Sequence, residues 1–497
     1  MARNGSATDL VASGAFAGVA GGLVFGAAMV VLGVLPTVAS LVRVDSPLVG
    51  FVVHMAIAAV IGALFAVLVR HQSPGAGETV FWGLAYGMFW WYLGALTLRL
   101  VVLGQPVQWT VAAAQEAFPS LLGHLLYGAT TGLVLAWIRQ HDSDRAGAPP
   151  TERADTPVRA GGMLRGAVAG VVSAWLITAA VGEQYGPLAV SAAMAQRPLG
   201  TVTAAVFGLG ILAGVGFAAL YPRAPDAAGP SLVRGAGFGF LLWVVLGLTL
   251  VPLVEDGALA WSAQAVAEVF VTLPAYLLFC VAVAAVYTWI DRVWRLLFTA
   301  PVERADDEGP GARTLRAVGR GALAGCVGGL LFTMVMAHLD LFPRVARLVG
   351  GSSAGVGLTV HLTIALIVGV SYGLLFRRQT HDLAAAIGWG TSYGFLWWVL
   401  GGLTLFPVLL GGEPLWTAED AANSFPSLVG HLAYGAGLGV TFHLLEARHD
   451  PWWVPRGAAF AARASRRRAQ MESSAPAVWT LVVLMAFTVT VALGGAG

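Results

Sequence analysis

Apolar runs of about 20 residues, long enough to cross a hydrocarbon layer as helices, recur along this chain about thirteen times. They fall near 14–35, 48–69, 79–103, 119–138, 161–181, 199–221, 235–254, 271–290, 321–341, 355–376, 384–410, 426–445 and 476–495. Backbone amides that leave water must bond one another, and a helix does this within a single run. The pattern predicts an all-α, polytopic transmembrane protein. Charged residues make up 11% of the chain, against roughly a quarter in soluble domains, and the mean hydropathy is +0.76. Glycine is abundant inside the runs, as close packing of membrane helices allows.

The runs repeat. Phe118-Pro-Ser-Leu-Leu-Gly-His124-Leu-Leu-Tyr127-Gly128-Ala-Thr-Thr-Gly132 and Phe425-Pro-Ser-Leu-Val-Gly-His431-Leu-Ala-Tyr434-Gly435-Ala-Gly-Leu-Gly439 agree at 11 of 15 positions. Each closes a larger unit of four runs. Residues 1–138 form the first unit, 161–290 a degenerate second and 319–445 the third; 139–160 and 291–318 read as charged linkers, 446–475 as a basic segment, and 476–497 as an extra helix. Four runs per unit leave all three units the same way up, so the expected architecture is three parallel four-helix repeats plus one C-terminal helix. The first run resembles a signal peptide in position, but its match to the ninth makes it structural.

All 28 basic residues are arginine. With the N-terminus inside, all but five lie on inner segments, the exceptions being Arg43, Arg99, Arg197, Arg344 and Arg347. The positive-inside rule then places the N-terminus in the cytoplasm and the C-terminus outside, in a bacterial inner membrane. The inner segment 455–468, rich in arginine, suits contact with anionic lipid headgroups as well as it suits a solvated loop. A net charge of +2 gives no footprint for nucleic acid. Cys280 and Cys326 both sit within apolar runs and read as inert core thiols.

Three copies in one chain permit an internal comparison. Trp109, Trp261 and Trp416 recur in every unit and read as interfacial anchors. Phe118, Phe270 and Phe425, the Leu-Thr-Leu segments around Thr97, Thr249 and Thr404, and Gly62, Gly214 and Gly369 also recur, and read as scaffold. A second set is confined to units one and three. Val206 and Tyr276 replace the histidines found at 54 and 361 and at 124 and 431; Phe238 and Phe279 replace Tyr86 with Tyr393 and Tyr127 with Tyr434. Unit two keeps the shape and drops the polar groups.

His54 precedes Arg70 by 16 residues and His124 precedes Arg139 by 15. At 1.5 Å per residue, both imidazoles sit about 24 Å from the inner surface. His361 before Arg377 and His431 before Glu446 repeat the spacing. Helices two and four of an up-down bundle are diagonal neighbours, so His54 is expected to face His124, and His361 to face His431, across a bundle core. Gly94, Gly128, Gly401 and Gly435 lie near this level, where they either leave a slot for a planar ligand or serve plain helix packing.

One histidine each on helices two and four, with glycines on helices one and three, resembles the haem-binding four-helix bundle of respiratory cytochrome b. That resemblance implies axial ligation of haem b by His54 with His124 and by His361 with His431. The His-x-x-Tyr-Gly-x-x-x-Gly helix is similar to one in small, uncharacterised bacterial four-helix integral membrane proteins, which implies no activity. The expected function is therefore binding of haem b or a transition metal at His54, His124, His361 and His431, with Tyr127 and Tyr434 as supporting hydrogen-bond donors and Tyr86 and Tyr393 nearby. A solute or ion transporter using the same groups is the alternative, and a structural subunit with a partner in a membrane complex is a third. No P-loop, dinucleotide fingerprint or nucleophile motif supports soluble catalysis, and nothing assigns an enzymatic reaction.

Overall fold

The computed structural model of the chain describes residues 7–70, 72, 75–107, 109–145, 160–181, 199–222, 228–298, 310–377, 382–447 and 474–494. These residues are helical, with no strand among them. Nine of the described helical stretches are long and apolar enough to cross a membrane, and Gly161–Leu176 and Ala204–Leu220 are shorter apolar helices. The segment 455–468 lies outside the described residues.

The first group of helices is α1 (Ala7–Leu32), α2 (Pro47–Leu68), α3 (Ala76–Trp90) and α4 (Phe118–Arg145). The second is α5 (Ala160–Val181), α6 (Leu199–Leu220), α7 (Ala228–Leu242) and α8 (Leu273–Phe298). The third is α9 (Pro310–His338), α10 (Ala354–Phe376), α11 (Leu383–Trp397) and α12 (Phe425–Ala447), and α13 (Ala475–Gly494) comes last. Several helices outrun the apolar stretches that announce them. α4 continues to Arg145, α8 to Phe298 and α9 starts at Pro310, so parts of the expected linkers are helix. An exposed helical turn needs no apolar residues, which is why hydropathy misses it.

Packing order is the same in the first and third groups. α1 lies along α2 and α4, and α3 lies along α4; likewise α9 lies along α10 and α12, and α11 along α12. Glycines make these approaches close. A Cβ on Gly62 would stand 2.4 Å from the Gly18 Cα, and one on Gly369 2.5 Å from the Gly325 Cα. In the second group Gly214 would meet the Gly166 carbonyl at 1.9 Å. Small residues at a crossing let backbones touch, and membrane helices depend on that contact because apolar lipid supplies no hydrophobic drive between them. α2 and α3 stand apart over most of their length, as do α10 and α11.

α13 is no appendage. It packs against α3 and α11 and also meets three short helices, Val111–Glu116, Ala263–Val269 and Ala418–Asn423, one from each group. Its described side chains Val478, Leu481, Val489 and Leu493 are buried. Gln115 Nε2 donates to the Ala492 carbonyl at 2.9 Å near its far end. At its near end the Ser474 amide donates to Glu78 at 3.1 Å, and Glu78 in turn pairs with Arg234 of α7. The last helix thus joins all three groups.

Charge pairs close the opposite end from the histidines. Arg165 on α5 meets Asp291 on α8 at 3.3 Å, and Arg316 and Arg320 on α9 both reach Glu446 on α12. In the first group, Arg139 stands where Asp291 and Glu446 stand in the others, and Ser13 stands where Arg165 and Arg320 do. With no cation opposite, Arg139 turns to the last carbonyls of α2, reaching those of Ala66 and Val69 at 3.3 Å each. A cation at a helix C-terminus satisfies carbonyls that have no intrahelical partner.

Candidate functional site

In every group the third helix widens at the level of the short helices. Trp91–Leu98, Trp243–Leu250 and Trp398–Leu405 are eight-residue stretches of π-helical turn. Each is held by a threonine hydroxyl that donates five residues back: Thr97 to Tyr92 at 2.8 Å, Thr249 to Val244 at 2.7 Å and Thr404 to Val399 at 2.7 Å. The recurring tryptophans complete the device, because Trp109, Trp261 and Trp416 donate their indole N–H to those threonines at 3.3, 3.1 and 2.9 Å. The expectation of interfacial anchors is thereby revised. Trp261 and Trp416 are 0% and 2% exposed and act as locks, while Trp109 is 76% exposed. Wide turns of this kind displace side chains from the regular helical face and are frequent at functional sites.

The wide turn of the third group lies beside His431. His54 Nε2 donates to the Gly22 carbonyl at 2.9 Å and His361 Nε2 to that of Gly329 at 3.1 Å. His124 and His431 use the other nitrogen, Nδ1 donating one turn back to Ser120 at 2.7 Å and Ser427 at 2.8 Å. A neutral imidazole has one N–H, so these bonds fix opposite tautomers within each pair. The lone pair is left on Nδ1 of His54 and His361, and on Nε2 of His124 and His431.

The rings of a pair do not face each other across open space. Phe25 of α1 touches both, with ring centres 5.3 Å from His54 and 5.1 Å from His124. Phe332 does the same at 5.3 Å from His361 and 4.6 Å from His431. Gly123 and Gly430 of the fourth helices make room for the phenylalanines, since a Cβ there would lie 1.8 and 2.1 Å from the ring. Axial ligation by both members of a pair needs a gap between the rings and a free nitrogen aimed into it. The phenylalanine stands against both rings, while Nδ1 of His54 and His361 keeps a free lone pair. As packed here, a phenylalanine ring and not an open slot lies against both imidazoles of each pair. Among the described residues, no group of three or more His, Cys, Asp or Glu side chains is placed to hold a metal ion.

The other sequence-selected residues sort by position. Tyr127 and Tyr434 donate to the carbonyls of Ala58 at 2.8 Å and Ala365 at 2.7 Å, on the helices that carry His54 and His361. Tyr86 donates to the Ile61 carbonyl at 2.8 Å, and Tyr393 shares a 2.7 Å hydrogen bond with Ser371, both deeper in the bundle. Gly128 and Gly435 are consumed by packing, where a Cβ would lie 2.0 and 2.2 Å from the carbonyls of Gly83 and Gly390. That replaces the expected planar slot at those two positions. Gly94 and Gly401 lie in the wide turns instead.

Beside His361 and His431 lies a cavity of about 530 Å³. Trp398, Gly401 and Gly402 of the wide turn, with Trp397 just before it, form one wall, Phe332 and Met336 another, and Ser424, Ser427 and Asn423 its polar edge. A Cβ on Gly402 would stand 3.6 Å from His431 Cε1, so the absent side chain is what opens space at that ring. Arg344, on the short helix Phe342–Ala346, stands at the mouth with its guanidinium 5.4 Å from the Phe406 ring centre. Sequence reasoning found the histidines but missed Arg344, Gly402 and the phenylalanines. The exchange of Arg344 for Thr37 between otherwise matching segments was the available signal. No family model matches this chain, and neither the curated proteins nor the solved structures contain a match to it.

Proposed function

We propose that the chain is a multi-pass inner-membrane protein that binds, and moves or presents, a small membrane-soluble organic molecule at the His361–His431 site, with a related site at His54 and His124. The proposal takes the chain as about thirteen spans in three parallel four-helix repeats around α13, with the N-terminus cytoplasmic. The cavity beside His431 carries this reading. Its volume lies within the range of ligand pockets, about 300–1,000 Å³. His431, whose Nδ1–H is spent on Ser427, presents Nε2 as an acceptor for a hydroxyl or N–H of the ligand. Solute handling by these groups was the alternative to a metal centre in the sequence, and it is the one the ring geometry supports.

Protein purified in mild detergent tests the choice through its absorption spectrum, metal content and extractable small molecules. An organic molecule retained by the native chain and lost from His431→Ala supports ligand binding. A Soret band, or stoichiometric iron, copper or zinc, overturns it in favour of haem or metal.

A further inference from the structure

The mouth of the cavity carries one fixed charge. Among the described lining residues Arg344 is the only arginine, and no aspartate or glutamate lines the space. Apart from the histidines and the polar edge of Asn423, Ser424 and Ser427, the lining is mostly apolar, so the cavity joins one cationic group to apolar walls.

In the first group the sequence register places an arginine at the facing position, where Arg99 Nε donates to the Ala95 carbonyl at 3.3 Å. By the register that pairs His54 with His361 and His124 with His431, Thr37 takes the place of Arg344 and Arg99 takes the place of Phe406. Those two places are neighbours, since Arg344 lies over the Phe406 ring. Between the two groups the arginine has crossed the mouth while its number has stayed at one. The second group, which lacks both histidines, has Val251 at the Arg99 position and no charge there. Arginine at this mouth thus accompanies the histidine pair and is lost with it. Membrane-end arginines that merely snorkel have no reason to follow the histidines or to exchange walls.

We propose that the ligand is a single-chain amphiphile with an acidic head, its head held by Arg344 in the third group and by Arg99 in the first, and its chain lying against the apolar walls. The proposal rests on the reading of the cavity as a ligand site. Carboxylate and phosphate are both matched by the planar guanidinium donors. Glu116 replaces Asn423 in the first group, so that mouth carries both signs and holds the acid more weakly.

The test uses full-length protein in phosphatidylcholine nanodiscs, with palmitate, palmitoyl lysophosphatidate and methyl palmitate as probes of tryptophan fluorescence. The proposal expects palmitate or lysophosphatidate to bind about tenfold more tightly than the methyl ester, with the stronger of the two naming the head. Arg344→Gln removes that preference at the tighter site and leaves methyl palmitate unchanged, while Arg344→Lys keeps most of it. Arg99→Gln affects a weaker second site. Equal binding of acid and ester, or an acid preference untouched by Arg344→Gln, overturns the acidic head while leaving the cavity as a site. Gly402→Leu separates the two: it abolishes the tighter binding of all three probes if the cavity is the site, and unchanged tight binding in that variant overturns the underlying reading.

Discussion

Tyr434 donates its hydroxyl to the carbonyl of Ala365 at 2.7 Å, one turn beyond His361 on α10. The bond ties α12, which carries His431, to α10, which carries His361. Tyr127 and Ala58 make the same tie in the first group at 2.8 Å. Phe279 occupies the corresponding place in the second group and has no hydroxyl to offer. Interhelical hydrogen bonds in membranes contribute about 0.6 kcal/mol, and at most about 1.7. Tyr434→Phe is therefore expected to lower thermal stability slightly while weakening ligand retention more than Tyr393→Phe does, because only Tyr434 borders the cavity. Thermal unfolding and retention measured on the same preparations check this.

Gly369 and Gly208 give opposite expectations for one substitution. A methyl at Gly369 meets the Gly325 backbone at 2.5 Å, whereas one at Gly208 meets nothing within 4 Å. Gly369→Ala should force α9 from α10 and cost about 2 kcal/mol or more, in the range of overpacked cores. Gly208→Ala should be neutral or stabilise α6 by about 0.5–1 kcal/mol through reduced backbone entropy. Melting curves of the two variants in detergent distinguish them.

Arg320 and Glu446 are expected to be coupled. The pair lies at the helix ends with side chains about a fifth exposed, which limits its contribution to about 1 kcal/mol. Glu446→Ala leaves Arg316 and Arg320 without their carboxylate, while the double variant Arg320→Ala with Glu446→Ala should be less destabilised than the two single changes summed. Additive losses in that cycle would show that the pair contributes nothing.

Glu78 should matter more than its position at a helix start suggests. It is buried and faces Arg234 of the second group and the amide of Ser474. Glu78→Ala takes the carboxylate from the part-buried Arg234, which keeps its contact with the Tyr221 ring, and should cost about 1–3 kcal/mol. The predicted result is faster hydrogen exchange in α13, with partial recovery on adding Arg234→Met.

Much of the helical layout was legible because each apolar run must satisfy its own backbone, and hydropathy reads that requirement directly. The histidine-bearing positions were legible because the second group replaces both histidines, with Val206 and Tyr276, and drops only a hydroxyl where Phe279 matches Tyr127. What lies between the histidines was not. Phe25 looks like any apolar residue of α1, and nothing in its neighbours announces that its ring touches both imidazoles. The wide turns were also hidden, since Thr97, Thr249 and Thr404 fit a regular helix as well as a π-helical one. The central place of α13 follows from contacts with three distant segments, and no local pattern encodes those.

A density map of the protein purified from its native membrane tests the central claim most directly. The account predicts an elongated molecule in the cavity of the third group, with one polar atom within hydrogen-bond distance of His431 Nε2 and Phe332 still in place between the two rings. A flat macrocycle or a metal ion joining His361 to His431, with Phe332 displaced, would contradict it.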